Sequence, residues 1–228
     1  MPKSAGDAPA RPRVPADLED ASGDALTDDL EWNQVRVRGD LSGQVARMVE
    51  VAESHLAGAR LVGVEVERLR VTDTVFDDCD LSGAVLIDAA LTRVEFRNCR
   101  LSGLGVPGAR LLDVRFEGCK LDDANFRMTT SERVEFDRTI LRTADFYAAT
   151  LRSARFWDCD LELAQFSKAD LRGARLHGSN LADVLGAESF AGVVVETAQV
   201  MPLALRLFVA LGITVDDDLG RDTGDRGR

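Results

Sequence analysis

Cys79, Cys99, Cys119 and Cys159 are the residues whose type most invites chemistry, as zinc ligands or as a disulfide. Their spacing argues against both, because every interval is a multiple of twenty. A structural zinc site needs four ligands converging on a tetrahedron, whereas so regular a series sets thiols in a straight column. Thiols one repeat apart approach disulfide distances, but parallel side chains in a packed column, in a cytoplasmic setting, favour free thiols buried as small hydrophobes. The expected use of the column is steric, leaving room for larger side chains beside it. His55 and His177 stand too far apart to share a centre and are expected at the surface, and no Ser, His and Asp grouping is visible. No catalytic, cofactor or metal site is expected.

The elements that place these cysteines emerge from a repeat, which has to be sought before local secondary structure. From Leu56, steps of five land on large apolar residues through Leu181, with Ser131 the single polar intrusion. Helices favour spacings of three and four and strands a spacing of two, so a strict five fits neither. Two positions before each large residue stands a small or medium one, and the cysteines belong to that second series. The other three positions are mostly Asp, Glu, Arg, Asn, Ser, Thr and Gly. Each group of five is therefore expected to form one short side and one corner, with two side chains inward and three outward. Four sides close a coil of twenty residues, and successive coils stack about 4.8 Å apart.

This predicts an all-β solenoid, a quadrilateral β-helix, over residues 56–185, roughly 30 Å long. Phe76, Phe96, Phe116, Phe136 and Phe156 form one internal ladder, and Leu81, Leu101, Leu121, Leu141 and Leu161 form the next. Ser131 is expected to be a hydrogen-bonded serine or a local bulge, since a buried hydroxyl needs a partner.

The flanks read differently. Residues 1–25 carry prolines, small residues and acids and are expected to be a disordered tail, as is 215–228. Residues 26–55 read as an N-terminal cap or irregular first coils, with Trp32 a plug. Residues 186–214 read as an incomplete last coil, where the phase slips by one, followed by a helix over 202–212. Pro202 suits its first turn and Gly212 its end. That helix is apolar nearly all round, and closing the rod needs only one face. The excess among Leu203, Leu205, Leu207, Phe208, Val209 and Leu211 suggests a homodimer.

Outward apolar residues Val85, Ile87, Pro107, Met128 and Tyr147 share one side of the rod and form the candidate partner surface, since binding surfaces favour Tyr and Met. The net charge of -11 argues against direct nucleic-acid binding. No apolar segment suits a secretory leader or a membrane span, so the cytoplasm is the expected compartment.

The segments Ala124-Asn125-Phe126, Ala144-Asp145-Phe146 and Ala169-Asp170-Leu171 carry a signature in which Ala precedes Asp or Asn and then Leu or Phe. In this the chain resembles the pentapeptide-repeat proteins, specifically the actinobacterial members and more distantly the quinolone-resistance branch. The resemblance implies a right-handed coil, a dimer joined through the C-terminal helix, and binding to DNA gyrase or topoisomerase IV by imitation of B-form DNA. Charge weighs against that last implication. B-DNA carries about one charge per 1.7 Å of axis, so a rod of this length would need roughly 18 negative charges, whereas residues 51–185 hold 22 acids and 18 bases. The reading preferred on the residues alone is a non-enzymatic protein-protein interaction scaffold.

Overall fold

The computed structural model describes residues 8–21 and 25–215. They form a four-sided β-helix closed at its C-terminal end by a helix, as the five-residue period predicts. Parallel bridges join residues twenty apart on all four sides. Examples are Arg60 to Asp80, Val85 to Gly105, Ala90 to Arg110 and Glu95 to Arg115. The longest strands, Arg70–Asp77, Ala90–Arg97, Arg110–Glu117 and Thr130–Asp137, each span two sides and bend through one corner.

Every corner is turned by a residue of positive φ placed two after the large inward residue, for example Asp73 (φ 48), Arg93 (φ 52), Asp113 (φ 56) and Arg133 (φ 53). L-residues avoid this region, and Gly, Asn and Asp tolerate it best. That preference explains why glycine recurs at this phase, as at Gly83 and Gly103.

The interior is a stack of rings. Phe76, Phe96, Phe116, Phe136 and Phe156 form a near-parallel stack with centroids 4.6–5.0 Å apart. A second stack, Phe126, Phe146 and Phe166, meets the first edge-on at 5.9–6.3 Å. Both geometries suit the aromatic quadrupole. Ser131 causes no bulge, for it pairs in register with Leu111 and its hydroxyl donates to the Thr150 carbonyl at 2.7 Å.

Coils begin before residue 56. Leu41, Ala46 and Val51 are buried in phase with Leu56, and Asp40 already bridges Arg60. Nearer the N-terminus the coil shortens to nineteen residues, with Glu31 opposite Glu50 and Arg36 opposite His55. Residues 26–55 are thus irregular first coils, and Leu26 and Trp32 are buried at that end.

The expected tail over residues 1–25 is corrected in part. Residues 1–7 and 22–24 lie outside the described residues, but residues 8–21 are seated on the rod, and Glu19–Asp20 pairs in parallel with Val35–Val37. Composition registers the lack of a core within this segment and is blind to the surface it lies on. Of the second expected tail, 215–228, all but Val215 lies outside the described residues.

At the far end, Arg175 bridges Val194, again nineteen residues on. The slip begins at Gly186 (φ 77), where an added Cβ would stand 2.2 Å from the Ser167 amide nitrogen. The helix occupies Val200–Ala210, two residues earlier than 202–212, because a turn at Thr197–Gln199 with a capping box between Glu196 and Gln199 leads straight into it.

Candidate protein-binding surfaces

The cysteine column does more than save space. Each Sγ approaches the carbonyl of the residue 23 positions earlier: Cys79 that of Leu56 (3.3 Å), Cys99 that of Phe76 (3.5 Å), Cys119 that of Phe96 (3.4 Å) and Cys159 that of Phe136 (3.4 Å). Thr139 and Ser179 continue the series with hydroxyl donors to Phe116 and Phe156. Gln199 completes it, donating from Nε2 to the carbonyls of Leu176 and Ser179. The last coil is thus finished by a side chain that serves two buried carbonyls. All four thiols are free and buried, and burial pushes Cys159 up to about 12. Among the described residues no group of three or more His, Cys, Asp or Glu could hold a metal ion, and no helix is long and apolar enough to cross a membrane.

On the candidate side, Val85 and Ile87 belong to one strand and are exposed, and Pro107 lies one coil above Ile87. Met128, 57% exposed, turns the next corner. Tyr147 is two coils beyond Pro107, with Arg127 between them. The Arg127 guanidinium sits 4.4 Å from the Tyr147 ring centroid, and Lys168 Nζ donates to the phenol oxygen at 2.6 Å. The apolar strip is therefore short, running from Val85 to Pro107, and gives way to a cation-flanked aromatic.

The helix divides its apolar residues. Leu203 is buried and Leu207 packs on the core, so these two close the rod. Leu205, Phe208, Val209 and Leu211 are exposed, as are Val200 and Met201, which the later helix start expected from sequence left out. Arg206 pairs with Asp183 and ties the helix to the coils.

A third surface carries no apolar signal. One corner column alternates Asp73, Arg93, Asp113 and Arg133. Arg93 grips Asp73 through two bonds of 2.6 Å, and Arg133 grips Asp113 at 2.6 and 3.0 Å. Those guanidinium bonds hold both carboxyls below the usual carboxylate range. Residues 8–18 run along this corner. His55 lies half-buried in a cleft of about 340 Å³ beneath them, with Nε2 4.0 Å from Asp77. His177 is half-buried, its ring centroid 5.3 Å from that of Trp157.

A stacked rod whose specialisations are all on its outside is a repeat solenoid. The chain belongs to the pentapeptide-repeat family: a model described as a pentapeptide repeat region matches residues 49–126 and 109–185. Among solved structures the chain is similar to HetL, a pentapeptide repeat protein involved in heterocyst differentiation regulation from the cyanobacterium Nostoc. Identity is 18% over 74% of this chain and 87% of that one, with a TM-score of 0.46. It is also similar to a trypsin-treated form of QnrB1, a plasmid-mediated fluoroquinolone resistance protein, at 20% identity over 78% of this chain and 100% of that one, with a TM-score of 0.36. No curated protein matches the chain.

Proposed function

We propose that this protein is a non-enzymatic binding rod that engages another protein in the cytoplasm and pairs with a second copy through its C-terminal helix. The observation that carries the reading is the uncovered apolar outer face of the helix. Leu205, Val209 and Leu211 are each more than half exposed. An isologous contact between two such faces would hide them and join the rods end to end. The partner side is the short apolar strip from Val85 to Pro107 together with the cation-flanked Tyr147 beyond it. A photo-crosslinker placed at Ile87 in cells of the source organism should yield an adduct with a second protein. Monomer alone after irradiation would count against this face.

The partner implied by the family resemblance is a type II topoisomerase, and a fluoroquinolone resistance protein is among the similar structures. Under this second reading the rod imitates B-form DNA. Its arginines stand against it, since Arg115 holds Asp137 (2.7 Å), Arg142 holds Asp160 (2.5 Å) and Arg152 holds Asp170 (2.5 Å), which leaves an interleaved surface. Titration of purified gyrase at several salt concentrations, with a supercoiling assay, separates the two. Binding that weakens with salt and inhibits supercoiling supports the mimic, and no binding at micromolar protein removes it.

A further inference from the structure

The N-terminal segment has a period of its own. Pro9, Pro12, Pro15 and Leu18 are spaced by three and are half-buried, as is Val14, whereas Ala10, Arg11 and Arg13 are exposed. Its anchors follow the same period. The Ala10 amide donates to Asp113 Oδ1 at 2.9 Å, and the Arg13 amide to Asp73 Oδ1 at 3.1 Å. In a polyproline-type chain three residues advance about 9.3 Å, and two coils of a β-helix advance about 9.6 Å. The acceptors recur every second coil because the corner alternates Asp with Arg. Both carboxylates are only 6% exposed, and each is fixed by a two-point arginine grip from the coil above. Beneath the segment lie Glu95, Arg115 and Glu135 on one side and His55, Val75 and Arg97 on the other.

A ladder of rigid acceptors at the pitch of a proline-punctuated chain is a receptor for that kind of chain, wherever the chain comes from. We propose that this corner is a docking groove for an extended partner segment with proline at every third position and a free amide after each proline. Residues 8–18 occupy the groove in the resting molecule and compete with the partner. The proposal rests on the protein-binding reading and gives one such partner segment a chemistry. It can fail while the reading stands, because a partner held on the Val85 side or by the helix would leave the groove idle.

The test uses the full-length chain and a fluorescent synthetic peptide of residues 8–17. Ala10→Pro with Arg13→Pro removes both amide donors, preserves an extended backbone and touches no rod residue. Hydrogen exchange over residues 8–18 should rise in this variant while circular dichroism stays that of the parent. Fluorescence anisotropy should then show saturable peptide binding at least ten-fold tighter than to the parent chain, as displacement of a built-in competitor requires. A peptide carrying the same two prolines should not bind, nor should the wild-type peptide bind a chain that also carries Asp73→Ala and Asp113→Ala, which removes both acceptors. Unchanged exchange in the donor-less variant would overturn the anchoring. Absent binding, equal binding to parent and variant, or equal binding of the donor-less peptide would overturn the groove, and this last comparison stands even if the Ala variant fails to fold.

Discussion

Thr139 decides between two accounts of the cysteine column. If the column served only to save space, Val would replace Thr at no loss, since the shapes match. The single hydroxyl proton that Thr139 shares between the carbonyls of Phe116 (3.3 Å) and Asp137 (3.1 Å) says otherwise. Thr139→Val should lower unfolding free energy by about 1 kcal/mol, and Thr139→Cys, which copies its neighbours, should be close to neutral in denaturant titrations. The Cys159 thiol should be inert. With Cys159 pushed up to about 12 by burial, almost none of it is thiolate at pH 8. A disulfide-exchange reagent should therefore modify it only after denaturation. Position and burial of this column were legible, because period twenty places side chains directly. The donor role was hidden, since the acceptor lies 23 residues upstream and no local pattern marks it.

At the scale of elements, the sides and corners followed from the five-residue phase, and the terminal helix from Pro202 and Gly212. The C-terminal slip was also legible, but the nineteen-residue coil near the N-terminus escaped, because one missing residue shifts the phase and a period search stops there. Gly186 marks the C-terminal slip. Gly186→Ala would push a Cβ into the backbone of the coil below and force a positive φ on an L-residue. A loss on the order of 1–3 kcal/mol is expected, seen first as faster hydrogen exchange in residues 187–211. The N-terminal segment escaped because prolines and small residues signal disorder when no partner surface is considered, although the three-residue period was present in Pro9, Pro12 and Pro15. Its docking should depend on pH. The guanidinium bonds of Arg93 and Arg133 depress the Asp73 and Asp113 carboxyls in the folded chain, and depressed groups contribute above their unfolded pKa and lose that contribution as pH falls through the folded one. The segment should stay protected from exchange at pH 6 and open below the usual carboxylate range, after correction for intrinsic rates. Equal protection at both would show that the carboxylates are not its anchors.

For the whole molecule, the charge balance of residues 51–185 was countable in the sequence, but its pairing was not. The folded rod spends its arginines on carboxylates a coil away, as in Arg127 with Asp145 (2.8 Å) and Arg138 with Glu117 (2.6 Å). Exposed pairs of this kind add little stability, yet they cancel the field that a DNA imitation needs. Under the proposed reading, specificity rests on shape and on the few exposed apolar groups. In solution the terminal helix should give a particle of twice the 24.8 kDa chain mass by light scattering. Leu205→Asp with Val209→Asp should return it to one chain without unfolding the rod, since neither side chain is buried.

The central claim is that the outside of the rod binds a protein, and quantitative capture from the source organism tests it most directly. Tagged wild-type chain would be compared with Ile87→Asp plus Tyr147→Ala, with the dimer-breaking helix variant and with the chain carrying Ala10→Pro and Arg13→Pro. The account predicts a partner held by the wild type, lost from the Ile87 and Tyr147 variant, and enriched when residues 8–18 are released if that partner carries the proline segment. Identical sets of captured proteins from wild type and the Ile87 and Tyr147 variant would contradict it.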